Sequence, residues 1–328
     1  MRICKAIVAF ICLCTPLIGV LGSPPRKIVG GTYSSPDEFP YQVSIRMNGY
    51  HICGGSIIST RHILTAAHCL YNYINMYKQI TVVSGTTYLY LGGQSHSIQT
   101  FRIHPAFINN ANFQFANDIA VITVSEPNKL LFSEFFIKGL ETPIKIDHSQ
   151  HIIKLASQSD YGGFYGVVSG WGKTSYSEEK TFPYLLKLVT NVINATYCQE
   201  ILSRQLYSSQ VCALAFSASG TCQGDSGGPL AVGNELVGIV SFGFKCGAGF
   251  PDVYTSIYAY RTFIEEVIRE SGFSNEILYP KTYDNSNIAR KIVTKVQHPT
   301  TLSDNVTISH NKIYYLFKNG QWFQVQHQ

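Results

Sequence analysis

Between residues 28 and 272 the chain alternates short apolar or β-branched runs with breaks rich in Gly, Asn and Ser. The runs are Tyr41–Arg46, Gly55–Ser59, Ile80–Ser84, Ile98–Ile103, Ile119–Val124, Gly166–Ser169, Leu186–Val192 and Glu235–Phe242. Many short strands separated by frequent turn signals predict an all-β barrel or sandwich. One stretch carries helical periodicity instead. From Ser256 to Glu270, Ile257, Tyr260, Ile264, Val267 and Ile268 fall on one stripe, and Gly272 supplies a stop. This helix predicts the end of the compact domain. Beyond it, two β-rich runs at 312–318 and 321–326 flank Asn319-Gly320, a strong hairpin signal. A lone hairpin is marginal in water, so it is expected to dock on the main domain or a partner.

At the other end, Arg2 and Lys5 precede an apolar run from Ala6 to Leu21. It is shorter than the roughly 18–20 residues of a membrane span, and it ends in small residues at Gly22-Ser23. This predicts a cleaved signal peptide over 1–22, a secreted protein and no membrane association. Three of the nine cysteines leave with it, and Cys53, Cys69, Cys198, Cys212, Cys222 and Cys246 remain. An even count in a secreted chain implies disulfides, with about 15 pairings open. No CxxC or Cys/His cluster has zinc-ligand spacing, so no metal is expected.

The formal charge of +5 is unevenly spread. Residues 28–272 carry 15 basic and 17 acidic side chains, while 273–328 carry 6 and 3. The body therefore gives no electrostatic footprint for nucleic acid.

Candidate chemistry centres on Gly224-Asp225-Ser226-Gly227-Gly228. A serine hydroxyl is a poor nucleophile until a base takes its proton. Glycines on both sides let backbone N–H groups approach a developing oxyanion. Leu64-Thr65-Ala66-Ala67-His68-Cys69 offers a base, and Asn117-Asp118-Ile119-Ala120 an acid at the head of an apolar run. Alone, His68 and Asp118 read equally well as a structural histidine and a turn residue. Together, in this order and in these strings, they resemble the chymotrypsin/trypsin family of serine endopeptidases over about residues 28–272.

The resemblance implies two six-stranded antiparallel β-barrels, the first over about 28–135 and the second over about 136–255, with the site between them. It implies Ser226 as nucleophile, His68 as base and then acid, Asp118 as its orienting partner, Ser241 bonded to Asp118, and the N–H groups of Gly224 and Ser226 as oxyanion hole. Lys27-Ile28-Val29-Gly30-Gly31 resembles the family's zymogen junction. Cleavage after Lys27 is then expected to free an ammonium at Ile28 that pairs with Asp225, whereas His51 and Ser44 hold that acid beforehand. The propeptide, 23–27, has no cysteine to retain it. The implied disulfides are Cys53–Cys69, Cys198–Cys212 and Cys222–Cys246, a reduced set common in invertebrate digestive members. Gly170-Trp171-Gly172 and Pro251-Asp252-Val253-Tyr254-Thr255 match secondary family strings.

The specificity pocket departs from the familiar pattern. Gly220 stands where trypsin-like members carry Asp, and Asp252 stands on the opposite wall where Gly is usual. This pair resembles the brachyurins, crab-type collagenolytic members. A relocated carboxylate favours Lys or Arg in the substrate while leaving room for apolar groups. The alternative is an Asp252 that is solvated or bonded to neighbouring backbone and never meets substrate, with a chymotrypsin-like preference. Phe242 replaces the usual Trp, Ser241-Phe242-Gly243 is expected to pair with substrate backbone, and Lys245 falls at the rim. Between Ser84 and Ile98 there is no Asp or Glu, so no calcium site is expected. Asn194 and Asn305 head glycosylation sequons.

The expectation is thus a monomeric secreted endopeptidase needing no cofactor. Its partners are protein or peptide substrates, an activating protease and protein protease inhibitors. A catalytically silent homologue acting as binding or decoy protein is the competing class.

Overall fold

A computed structural model describes residues 28–125, 143–216 and 219–272, and the backbone of three later strands. The expected signal peptide, the propeptide and Asn305 lie outside the described residues.

The first barrel closes in the order β2-β3-β4-β7-β6-β5, where β2 is Gln42–Met47, β3 Tyr50–Ile57, β4 His62–Thr65, β5 Ile80–Ser84, β6 Gln94–Ile103 and β7 Ala120–Val124. The second is built from β9 (Tyr165–Gly170), β10 (Leu186–Ile193), β11 (Gln210–Ala215), β12 (Pro229–Val232), β13 (Glu235–Phe242) and β14 (Asp252–Ser256). Its order is β10-β11-β14-β13-β12-β9, and the β9–β10 pairing closes it. Two short strands append to it: β1 (Thr32–Tyr33) on β10, and β8 (Lys154–Leu155) on β13.

These are the two six-stranded barrels expected from the sequence, with one correction. The segment at 28–33, expected in the first barrel, belongs to the second. Thr32 and Tyr33 pair with Lys187 and Leu186, and Val29 bridges Gly220. Apolar pairing explains the exchange, because Ile28 is fully buried against Leu186 and Leu188. Burying an Ile side chain contributes roughly 1.5–3 kcal/mol.

Strands β5 and β13 coincide with the predicted runs. The helix does not begin at Ser256, because β14 runs through that residue and a 3₁₀ turn over Tyr258–Tyr260 follows. The α-helix is Arg261–Glu270, and its Ile264, Val267 and Ile268 are buried as the stripe predicts. Two helices escaped prediction: α1 (His68–Tyr71) and α2 (Ala195–Leu202). Asn194 is the N-cap of α2, its side-chain oxygen accepting a hydrogen bond from the Tyr197 N–H at 2.8 Å. No helix among the described residues is long and apolar enough to cross a membrane.

Beyond residue 305 the predicted hairpin is present as β16 (Ile313–Lys318) and β17 (Gln321–Val325), but a third strand, β15 (Val306–His310), pairs with β16. The unit is a three-stranded antiparallel meander rather than a lone hairpin.

Candidate active site

The histidine opens α1, directly after the small buried pair Ala66-Ala67 that ends the β4 connection. The acid precedes β7, with its carboxylate almost wholly buried. Asp118 Oδ1 accepts the His68 backbone N–H at 2.9 Å. Its Oδ2 lies 2.7 Å from His68 Nδ1 and accepts the Ser241 hydroxyl at 2.6 Å. A carboxylate so placed makes Nδ1 the protonated ring nitrogen and leaves Nε2 as the acceptor. Burial opposes the imidazolium, but the Asp118 charge and its hydrogen bond outweigh burial and raise the His68 pKa above 6.5.

The Ser226 loop is pressed against the same place. The Gly54 N–H donates to the Ser226 carbonyl at 2.8 Å, and Gly54 adjoins Cys53, whose disulfide to Cys69 sits beside His68. A Cβ on Gly227 would fall 2.2 Å from Thr65 Oγ1 and 3.2 Å from the Ala66 nitrogen, so only glycine lets the loop approach β4 this closely. No Ser226–His68 hydrogen bond is formed among the described residues. Cys53, His68 and Cys69 also form a compact group of potential metal ligands, but both sulfurs are consumed in the disulfide.

Further hydrogen bonds hold the barrels together around the site. Thr255 Oγ1 donates to the Asp118 carbonyl at 2.8 Å, Tyr260 Oη to Asn117 Oδ1 at 2.8 Å, and Ser169 Oγ to Gln42 Oε1 at 2.6 Å. None of these pairings is legible in the sequence, because each partner looks like an ordinary strand or turn residue. Nor is the placement of Phe115, whose ring lies 5.9 Å from that of His68 and 6.1 Å from that of Phe242.

Asp225 is fully buried. Its two oxygens accept the Gly172 and Cys222 N–H groups at 2.8 and 2.9 Å. Burial pushes its pKa up to about 6 against those two bonds. A Cβ on Gly170 or Gly172 would fall within 2.3 Å of its carboxylate oxygens, which gives Gly170-Trp171-Gly172 a steric purpose. The expected hold on Asp225 by His51 and Ser44 is not the arrangement found. His51 instead donates from Nε2 to the Gly224 carbonyl at 2.9 Å and accepts from Ser44 Oγ at Nδ1 at 2.8 Å. Burial lowers the His51 pKa to about 4, Arg46 adding to the effect and the Gly224 bond opposing it, so the ring is neutral at pH 7.

Asp252 heads β14 and is 7% exposed. Its Oδ2 accepts the Thr221 N–H at 2.7 Å. A Cβ on Gly220 would lie 3.0 Å from Oδ2, and one on Gly243 2.4 Å from Oδ1. The carboxylate therefore fills the space between the two glycines. The Cys222–Cys246 disulfide spans this region, Cys198–Cys212 ties α2 to β11, and all three pairs match those the resemblance implies.

Comparison with known proteins agrees with this geometry. The Trypsin family profile matches residues 28–264. The chain belongs to the trypsin family. Trypsin epsilon of Drosophila erecta is 34% identical over 256 residues, covering 77% of this chain and 91% of that protein. Trypsin delta of Drosophila melanogaster is 36% identical over 250 residues, covering 75% and 90%. The structure of neuropsin, a serine protease expressed in the limbic system of mouse brain, superposes with a TM-score of 0.62 at 26% identity, over 73% of this chain and 98% of that one. The protein is a serine endopeptidase of trypsin-like fold.

Proposed function

We propose that this trypsin-family enzyme is secreted, is activated by cleavage after Lys27, and hydrolyses peptide bonds through Ser226. Ser226 Oγ attacks the substrate carbonyl and passes its proton to His68 Nε2. The N–H groups of Gly224 and Ser226 receive the oxyanion. The tetrahedral intermediate collapses as His68 returns the proton to the leaving amine, leaving an acyl ester on Ser226. Water then repeats the sequence and restores the enzyme. The observation that carries this reading is the chain Ser241–Asp118–His68, which holds the imidazole through Nδ1 and makes Nε2 its acceptor nitrogen. Ser226→Ala and His68→Ala are expected to abolish turnover while the protein stays folded. Fluorophosphonate labelling of Ser226 separates an active enzyme from a silent homologue.

Two features support the activation step. Ile28 is buried in the second barrel, yet held at φ 40°, a region β-branched residues avoid. Cutting the bond on its amino side abolishes that torsion. It also creates an ammonium close in sequence to the Val29–Gly220 bridge, on the wall of the loop that holds Asp225. A buried acid whose ionisation is this costly gains most from a cation. Protein carrying Lys27→Gln should stay inactive when treated with an activating protease.

Primary specificity is proposed to be basic or mixed, set by Asp252 opposite Gly220 in the brachyurin-type arrangement. The support is the burial of Asp252 between Gly220 and Gly243, which argues against a solvated carboxylate, while the Thr221 N–H bond is the backbone contact that the alternative expects. Assaying Arg, Lys, Phe and Leu peptide substrates on Asp252→Ala tests this, and an unchanged Arg/Phe ratio excludes Asp252 as determinant.

A further inference from the structure

The acid that replaces the missing charge at Gly220 sits in an unusual setting. Its oxygens lie against two glycines, with a bond from the Thr221 N–H. No ion pair to Asp252 is formed among the described residues. The groups facing it are nearly all neutral or negative. From its own strand comes the buried Tyr254, whose phenol is pushed well above its usual range by burial and by the two acids, and stays neutral. The Ser226 loop contributes the buried Asp225, a like charge. The neighbouring strand β11 presents Ala213, which pairs with Asp252, and β13 continues into Gly243; neither titrates. The cations nearby in the fold are peripheral: Lys245 is exposed, and the Arg204 guanidinium lies over the Phe244 ring, 5.5 Å from its centroid.

We propose that the pocket is a proton switch for substrate choice: neutral Asp252 selects apolar and aromatic side chains, and ionised Asp252 selects Lys and Arg. The inference rests on the reading of Asp252 as specificity determinant. A buried carboxylate held by the amide and the hydroxyl of Thr221, with no cation, is costly to ionise. Burial is the main cause, with Asp225 adding and Thr221 opposing, and together they push its pKa up to about 7. Pairing of Asp225 with a new amino terminus removes the like-charge contribution but leaves burial, the larger one. A substrate guanidinium or ammonium supplies the missing partner and draws the proton off. A Phe or Leu side chain supplies none and favours the protonated acid, which is then an uncharged wall.

The test uses the cleaved enzyme and two peptide substrates that differ only in Arg or Phe before the scissile bond. kcat/KM reports the free enzyme, so the His68 titration is common to both and cancels in their ratio. Between pH 6 and 8 the Arg/Phe ratio should rise about tenfold if the Phe substrate tolerates both forms of the acid, and about a hundredfold if it needs the neutral one. Asp252→Asn should hold the ratio low and flat. A flat wild-type ratio with a lowered ratio in Asp252→Asn overturns the switch and leaves the specificity reading standing. A flat ratio unaltered by the substitution overturns both. A ratio that still climbs with pH in Asp252→Asn assigns the proton elsewhere and also overturns the switch. If the variant does not fold, calorimetry of benzamidine binding to the wild type in buffers of different ionisation enthalpy decides. Roughly half a proton should be released at pH 7, falling toward none at pH 9, and no release at either pH overturns the proposal.

Discussion

Replacing Gly172 by Ala tests how Asp225 holds the oxyanion loop. The added methyl would stand 2.3 Å from Asp225 Oδ2, 2.4 Å from Cγ and 2.6 Å from Oδ1. Ordinary contact begins near ~3.4 Å, so the carboxylate must retreat by about an ångström. It cannot do so and keep both the Gly172 and Cys222 amides at 2.8 and 2.9 Å. Losing both bonds outright would cost roughly 3–6 kcal/mol at about 1.5–3 kcal/mol each. Overpacked sites relax instead, and the usual net loss is about 1–3 kcal/mol. For a domain of this size that lowers Tm by roughly 2–12 °C. Activity should suffer more than stability, because Asp225 lies between Gly224 and Ser226, the two residues proposed to supply the oxyanion donors. Misplacing one donor costs about 10²–10³ in kcat. The assay is steady-state hydrolysis by active-site-titrated, cleaved enzyme, with thermal unfolding in parallel. Lys173→Ala is the control: this neighbour only donates from Nζ to Gln223 Oε1 in an exposed contact, and kcat should hold within about twofold. If Gly172→Ala keeps kcat within about threefold and an unaltered Tm, the cradle does not hold the oxyanion loop.

Other outcomes follow from the same geometry. The acid limb of kcat/KM should have its midpoint above 6.5, since Asp118 raises the His68 pKa and the enzyme is active only with the imidazole neutral. In Asp118→Asn burial alone remains, so the midpoint should drop below 6.5 while kcat falls on the order of 10⁴-fold, as in other members of this triad class. Removing Cys198–Cys212, which closes a loop of 14 residues, should cost about 3 kcal/mol and roughly 6–12 °C in Tm, read by thermal unfolding. Arg102–Glu270 is a 2.8 Å ion pair with both side chains more than half exposed, so Arg102→Ala should move stability by less than about 1 kcal/mol.

The candidate site was legible where a residue's expected task is written into its immediate neighbours. His68 follows the buried Ala66-Ala67, and Ser226 is flanked by glycines whose close packing the contact between Gly227 and Thr65 illustrates. Strands β5 and β13 were legible because apolar runs of strand length end in turn residues. Strands β4, β11, β12 and β14 were not. β4 is wholly buried yet carries His62, and β12 and β14 begin with Pro229 and Asp252, so none reads as a clean apolar or alternating run. The true start of the last helix was hidden because Ile257 and Tyr260 keep the helical spacing although a 3₁₀ turn intervenes, and both are buried as the stripe demands. Thr32–Tyr33 was assigned to the wrong barrel because sequence order says nothing of an exchange driven by Ile28 packing on Leu186 and Leu188. Phe115 carries no local signal and Thr255 only its place in the Pro251–Thr255 string, since their importance comes from what the other barrel brings to them.

Two buried acids lie within one small region, and both are housed in the same way. Asp225 rests on Gly170 and Gly172, and Asp252 fits between Gly220 and Gly243. In each case the glycines supply volume, since a methyl at any of the four positions would crowd a carboxylate oxygen. Each acid keeps amide donors too few to offset its burial, so its charge is costly until a cation arrives. The cations differ in origin. For Asp225 it is the proposed amino terminus at Ile28, supplied once and permanently by cleavage. For Asp252 it is the proposed basic side chain of the substrate, supplied and withdrawn in every turnover. The first acid therefore suits a one-time activation and the second a repeated choice, and the difference follows from which neighbour is covalently part of the chain.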